Sequence, residues 1–143
     1  MRILYRALQW SWGVVQNSIG GLLTLLLWRR PRLWFYGACV TRWSLRGSLS
    51  LGMFLFLGTR GDPSEPLTEA ERRVLVHEYG HSIQSLLLGP LYLPLVGLPS
   101  VLWANLPALR RFRKRRGVSY FSVYPESWAN RLGERVTKES APK

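Results

Sequence analysis

Uncharged stretches dominate the first half of the chain, and two of them predict regular elements. Residues 10–28 carry no charge and are rich in Leu and Trp. This stretch is just long enough to cross a bilayer, where about 20 apolar residues are needed. Because Gln, Asn and Gly residues interrupt it, a buried helix of a soluble domain is an equally good interpretation. Residues 47–57 begin with alternation and end as an apolar run, which predicts a strand.

The clearest helix signal covers residues 68–88. Thr68 and Glu71 have the spacing of a capping box, in which the Thr hydroxyl accepts from the third amide and the Glu side chain reaches back to the cap amide. Gly89 and Pro90 follow directly and predict the end of the helix. The start and stop signals therefore delimit this helix from both sides.

Residues 82–109 form a second uncharged stretch, in which proline recurs. Each interior proline removes a backbone hydrogen bond and clashes with the preceding turn, so the pattern predicts an irregular apolar segment and not a straight helix. Residues 118–124 are compatible with a second short strand. Pro125 suits the start of a further helix, predicted over residues 126–137.

These elements predict a mostly helical α+β fold, with a short strand before the capped helix and a second helix near the C-terminus. Residues 1–46 form an N-terminal apolar and basic segment, expected to be helical and a candidate membrane anchor. Residues 47–137 form the domain that carries the candidate chemistry. Residues 138–143 are expected to be a flexible tail.

The charge balance narrows the range of partners. Twenty Lys and Arg against eight Asp and Glu give a net charge of +12, which predicts attraction to polyanions. The basic clusters directly follow apolar stretches, an arrangement that fits anionic lipid headgroups better than a nucleic-acid groove, although a solvated basic loop remains an alternative. No motif for specific nucleic-acid recognition accompanies the charge. The larger cluster consists of Arg110, Arg111, Arg113, Lys114, Arg115 and Arg116.

One short motif carries the candidate chemistry. Residues 77–81 read His-Glu-Tyr-Gly-His, and they contain both histidines of the chain. Positions four apart lie on one face of a helix, so the His77 and His81 imidazoles can reach one ion. Zinc accepts such nitrogen ligands and keeps an open position at catalytic sites. Glu78, beside the first histidine, is placed to act as a general base on a water molecule.

Two histidines leave a tetrahedral zinc site short of protein ligands. No third histidine exists, so the remaining ligand must be an acidic residue or Cys39. Cys39 is the single cysteine, which excludes an internal disulfide framework, and it is expected to be a buried small apolar residue. The acidic residues downstream of the motif are Glu126, Glu134 and Glu139.

The motif together with Glu-x-x-Ala-Asn at residues 126–130 resembles the gluzincin metallopeptidases, and most closely the membrane-linked branch that contains the CAAX prenyl proteases. A narrower likeness, through HEYGHxxQS, is to small bacterial sequences with the same motif. The resemblance implies a minimal zincin fold, a Zn²⁺ ion held by His77, His81 and Glu126, and Glu78 as the catalytic residue. Asn130 stands where the family has an Asp that supports a zinc-binding histidine.

Topology adds a constraint on residues 86–109. If His81 and Glu126 meet at one ion, the chain between them cannot cross a membrane once, because the two residues would then lie on opposite sides. It also has too few apolar residues to cross twice. The segment is therefore expected to be re-entrant, interfacial or packed over the cleft. If residues 10–28 span a bilayer, the basic residues after them place the zinc site on the cytoplasmic side; a soluble cytoplasmic protein is the alternative.

The sequence thus predicts a membrane-associated zinc metallopeptidase that hydrolyses peptide or protein substrates through a zinc-activated water. A Tyr or Arg often stabilises the oxyanion in such sites, and the candidates are Tyr124, Tyr120 and Arg131. The alternative function is a non-catalytic, membrane-binding or toxin-like protein in which the zinc site is vestigial or structural.

Overall fold

A computed structural model describes residues 2–143 and has the predicted mostly helical α+β fold. Its elements, in chain order, are α1 (Arg2–Trp12), α2 (Val14–Leu26), β1 (Arg32–Phe35), β2 (Ala38–Trp43), β3 (Leu49–Leu51), β4 (Phe54–Gly58), α3 (Glu69–Leu88), α4 (Leu98–Asn105), α5 (Pro107–Arg116) and α6 (Glu126–Thr137). The helices surround one small sheet, and the site lies where α3 meets α6.

The sheet has the strand order β1-β2-β4-β3, with β2 and β4 parallel and the two outer pairs antiparallel. The prediction of a helical N-terminal segment over residues 1–46 is wrong for residues 32–43, which form β1 and β2. A tight turn at Tyr36 and Gly37, both with positive φ, reverses the chain between these strands. The sheet therefore joins residues on both sides of position 46.

The strand predicted over residues 47–57 is a hairpin. Gly52 turns the chain at φ +62° between β3 and β4, a backbone conformation that favours glycine. β3 pairs only with β4 and forms one edge of the sheet. The alternation that suggested one strand belongs to β3, and the apolar run belongs to the buried β4.

Helix α3 begins as predicted. The Thr68 side chain accepts from the Glu71 amide, and the Glu71 carboxylate accepts from the Thr68 amide. The same carboxylate pairs with Arg42 of β2 at 3.2 Å. The cap therefore both starts the helix and ties it to the sheet, and buried apolar residues of the two elements, including Val40, Leu55 and Leu75, form the core.

Helices α3 and α6 cross at unusually short distance through two glycines. A Cβ at Gly80 would lie 1.9 Å from the Ala129 carbonyl oxygen, and one at Gly133 would lie 2.1 Å from the Val76 carbonyl oxygen. Ordinary side chains at these positions would hold the two backbones apart. The close crossing brings residue 126 of α6 next to the histidines of α3.

Residues 89–105 form the irregular apolar segment that the prolines predict. A 3-10 turn at Gly89–Leu91 and a π turn at Leu93–Gly97 lead into α4. The prediction of a short strand at residues 118–124 is wrong, because this segment contains a 3-10 turn at Tyr120–Ser122. The Ser119 hydroxyl accepts from the Phe121 amide and starts this turn.

The N-terminal uncharged stretch covers the end of α1 and all of α2, which are separated at Gly13. Polar side chains of both helices point inward. Gln9 donates to the Ser82 carbonyl at 2.9 Å, and Gln16 donates to the Ser85 hydroxyl at 2.8 Å. Asn17 accepts from the Met53 amide at 2.8 Å. Among the described residues, no helix combines the length and apolar character that a membrane crossing requires.

The C-terminal residues 138–143, expected to be flexible, pack against the body of the protein. Ala141 is buried, and Glu139 pairs with Arg72 of α3. The Pro142 carbonyl accepts from the Asn130 side chain at 2.6 Å. The tail therefore contacts Asn130, the residue of α6 whose side chain faces His77.

Candidate metal centre

Three buried side chains from α3 and α6 converge on one point. The Nε2 atoms of His77 and His81 are 3.1 Å apart, and the Glu126 Oε2 atom lies 3.1 Å from the first and 3.4 Å from the second. All ligand atoms of this set lie within 4.8 Å of one another. The residues that the sequence singled out are therefore close enough to bind a metal ion.

Hydrogen bonds on the far side of each imidazole determine its tautomer. Asn130 donates through Nδ2 to the Pro142 carbonyl, so its Oδ1 atom faces His77 Nδ1 as an acceptor at 2.6 Å. Gln84 likewise donates to the Pro125 carbonyl and presents Oε1 to His81 Nδ1 at 2.7 Å. Both Nδ1 atoms must then carry the proton, which leaves a lone pair on each Nε2 atom.

The arrangement fits a cation. Two imidazole lone pairs and a carboxylate oxygen point at one another, and neither Glu126 oxygen has a well-aligned hydrogen-bond donor among the described residues. Buried polar atoms are normally paired, and a bound metal ion would satisfy all three atoms at once. Imidazole nitrogen and carboxylate oxygen together are a donor set that zinc accepts.

The pKa values of the two carboxylates of the site, Glu78 and Glu126, are shifted in opposite directions. Burial raises the pKa of Glu126, whereas positive charge at the two Nε2 atoms, from imidazole protons or from a bound cation, lowers that pKa below its ordinary value. Burial raises the pKa of Glu78 to about 7, and the Glu126 charge adds to this effect, while His77 opposes it. Glu126 is therefore charged, as a ligand must be, and Glu78 is poised to exchange protons near neutrality.

A cavity of about 500 Å³ opens beside the cluster. His77, Glu78 and His81 form part of its wall, and the edge strand β3 forms another part. The inner face of α4 closes the cavity through Ser100, Val101 and Ala104. The cavity therefore gives access to Glu78 and to the two imidazoles.

The candidate oxyanion stabilisers differ in position. Tyr120 lines the cavity, and burial together with the Glu126 carboxylate raises its pKa, so its hydroxyl stays protonated and able to donate. Tyr124 is exposed and donates to the Leu95 carbonyl at 3.2 Å. Arg131 is also exposed. The structure brings neither Tyr124 nor Arg131 into the cavity wall.

Two further residues of the site were missed in the sequence. Gln84 follows His81 by three positions on α3, so helical spacing could have indicated it as a partner of that imidazole. Tyr92 lines the cavity, and its hydroxyl donates to the Ser50 carbonyl of β3 at 3.3 Å. No local signal marks Tyr92, because only the folded chain brings it to the cavity.

No family model, curated protein or solved structure matched this chain when it was compared with each of these sets. The assignment of the site therefore depends on its geometry and chemistry.

Replacing Asn130 with alanine is expected to weaken divalent-metal binding about 10- to 100-fold, because His77 then loses the acceptor that orients its ring. Asn130→Asp keeps an oxygen acceptor for His77 but loses the donation to the Pro142 carbonyl, so it is expected to retain more of the affinity than the alanine variant. Titration of both metal-free variants with zinc, followed calorimetrically, measures the difference. Equal affinities in the alanine and aspartate variants would contradict the orienting role.

Proposed function

We propose that the protein is a zinc metallopeptidase. The observation that carries this proposal is the convergence of two imidazole lone pairs and a buried carboxylate beside a cavity that also contains Glu78. Two histidines and one glutamate leave an open coordination position, as catalytic zinc sites require and structural sites do not. A zinc ion held there supplies a water nucleophile of lowered pKa and polarises the scissile carbonyl.

Glu78 is the proposed general base and acid. It follows the first ligand on α3, lines the cavity and has a pKa raised to about 7. A carboxylate in this range can take a proton from the attacking water and pass it to the leaving amine. A site that served structure alone would have no use for a carboxylate beside the ligands, which favours catalysis over a structural ion.

The edge strand β3 is the proposed binding site for an extended substrate. β3 has one neighbour in the sheet and lines the cavity together with residues 46–48, which precede it. Peptides commonly bind by adding a strand to such an edge. Tyr120, with a protonated hydroxyl at the cavity wall, is the proposed donor to charge that develops on the carbonyl oxygen.

The resemblance to gluzincins supports the same conclusion. The Glu-x-x-Ala-Asn segment supplies Glu126 to the cluster and Asn130 to the His77 imidazole, the two positions that the resemblance implies. The amide at residue 130 carries no charge, so it polarises the imidazole less than the Asp of that family would.

Zinc binding and its dependence on Glu126 test this proposal. The purified parent is expected to contain zinc in equimolar amount, and Glu126→Ala is expected to bind zinc more than about 100-fold less tightly, since loss of a ligand exceeds the effect of losing an outer partner. Elemental analysis gives the content. Hydrolysis of a peptide library is expected to stop with a chelator and return with added zinc.

The matched control is Arg135→Ala, on the same helix but exposed and away from the cluster. This variant is expected to keep both zinc and activity. A folded parent that binds no zinc, or a Glu126→Ala variant with unchanged zinc content, would overturn the proposed ligand set. Zinc that binds tightly without any hydrolysis would leave a structural ion as the better interpretation.

A further inference from the structure

Helix α2 has its polar side buried and its apolar side exposed, the reverse of a helix on a water-facing surface. Gln16, Asn17, Gly20 and Thr24 are its buried residues. Apart from Ser18, the outward side chains are apolar, and they are 45–72 % exposed: Val14, Val15, Ile19, Leu22, Leu25 and Leu26. An inverted helix of this kind is stable where the surroundings are themselves apolar, and contiguous exposed apolar surface of this extent marks an interaction site.

Helix α1 also buries a polar side chain and exposes apolar ones. Gln9 is fully buried and donates to Ser82, whereas Ile3, Leu4 and Trp12 are exposed. The two helices therefore turn a common apolar surface outward. Their inward polar side chains bind α3 and the turn between β3 and β4, so the arrangement is specified by hydrogen bonds and is not a frayed end.

The same surface continues into residues 87–102. The Trp12 indole lies against Gly89, since a Cβ there would come 2.4 Å from its Nε1 atom. Leu87 and Leu91 on either side of Gly89 are exposed. From Leu91, exposed apolar side chains recur at helical spacing on one side of the segment: Leu95, Leu98 and Leu102. We call this continuous set of exposed side chains on α1, α2 and residues 87–102 the outer apolar surface.

Basic clusters flank the outer apolar surface. Arg29 and Arg30 follow the end of α2, and α5 directly follows α4. Helix α5 contains no acidic residue and exposes Phe112 among its arginines. Trp10, Trp12 and Trp28 are also exposed, and Trp is the side chain that favours the headgroup level of a bilayer. Apolar contacts bordered by cations complement anionic lipid better than they complement another copy of this strongly basic chain.

We propose that the outer apolar surface docks on an anionic lipid bilayer, with the cations of α5 and residues 29–30 at the headgroups. Helix α4 lines the catalytic cavity with one side and belongs to the outer apolar surface with the other. Docking therefore holds the metal centre about one helix diameter, roughly 10 Å, from the lipid. This inference does not depend on the proposed peptidase activity, because it concerns binding alone.

Flotation of the full chain with vesicles tests the docking. Phosphatidylcholine vesicles containing phosphatidylglycerol are expected to bind the chain, and vesicles of phosphatidylcholine alone are expected to bind it much less. The double variant Val14→Gln with Leu22→Gln is expected to bind the anionic vesicles at least about 10-fold less, since each apolar side chain contributes to insertion. Arg115→Gln with Arg116→Gln is expected to lower binding about 30-fold, at roughly fivefold for each cation.

The matched control is Leu45→Gln with Val136→Gln. These two side chains are 60 % and 45 % exposed, the same fractions as Leu22 and Val14, but they lie on other elements. The control is expected to bind as the parent does. Circular dichroism and zinc content show whether each variant folds, and the arginine pair, fully on the surface, tests the docking should the apolar pair fail to fold.

Three results would overturn the inference. The parent could fail to float with anionic vesicles, or the two double variants could bind as tightly as the control. Sedimentation could instead show that the parent self-associates and that Val14→Gln with Leu22→Gln abolishes this without any lipid effect. In that case a second copy of the chain covers the outer apolar surface.

Discussion

Replacing Glu78 with glutamine is expected to leave zinc bound and to reduce peptide hydrolysis by about 10²–10⁴-fold, the contribution of a positioned general base. Glutamine keeps the size and hydrogen-bonding capacity of the side chain but cannot take up a proton. His77, His81 and Glu126 are untouched, so the ligand set persists. Steady-state kinetics on a cleaved peptide, with zinc measured in the same preparation, separates the loss of chemistry from the loss of metal.

Glu69→Gln is the matched control for this experiment, because Glu69 lies on the same helix but is exposed at its first turn. It is expected to keep the parent rate. Unchanged turnover in a zinc-loaded Glu78→Gln variant would contradict the role of Glu78 as base. Loss of zinc together with loss of activity would instead show that Glu78 supports the ligand set.

The centre of the site could be predicted because its signals are local. The capping box, the spacing of His77 and His81 and the helix after Pro125 each depend on residues within one or two turns of one another. Glu126 as third ligand could not be reached by spacing and came from the resemblance. The structure places it 3.1 Å from His77.

The N-terminal region could not be predicted because its polar side chains have distant partners. In the sequence, Gln16 and Asn17 interrupt an apolar stretch. In the structure both lie on the inner side of α2, where Gln16 donates to Ser85 and Asn17 accepts from the Met53 amide. Hydropathy along the chain records which residues are apolar but not which side of a helix faces the core. The strands β1 and β2 were missed for a related reason: β2 pairs with the distant β4, and β1 pairs only with β2.

Gly80 shows how close packing enters the chemistry. In the sequence, Gly80 stands inside the metal motif, where a small residue permits close helix packing, whereas Gly133 carries no such signal. Each glycine packs against a backbone carbonyl of the other helix. A Cβ at Gly80 would lie 1.9 Å from the carbonyl oxygen it faces, and one at Gly133 would lie 2.1 Å from the oxygen it faces. The separation of α3 and α6 sets the distance from Glu126 to the two imidazoles, so these glycines determine whether the three ligands can share an ion.

Replacing Gly80 with alanine is therefore expected to destabilise the fold by about 3 kcal/mol, because the obstructing atoms belong to the Ala129 backbone and cannot rotate away. The corresponding fall in the unfolding midpoint is roughly 10 °C for a domain of this size. Gly133→Ala is expected to act in the same way through the Val76 carbonyl. Thermal unfolding followed by circular dichroism measures both, and zinc titration at low temperature measures the accompanying loss of affinity.

Gly21→Ala separates this effect from helix propensity. Gly21 also lies inside a helix, but a Cβ there would meet the Phe54 ring at 3.6 Å, an ordinary contact. Alanine is intrinsically about 1 kcal/mol better than glycine in a helix interior, so this variant is expected to match or exceed the parent in stability. If Gly80→Ala behaved like Gly21→Ala and kept its zinc, the close crossing of α3 and α6 would not be what holds the ligands together.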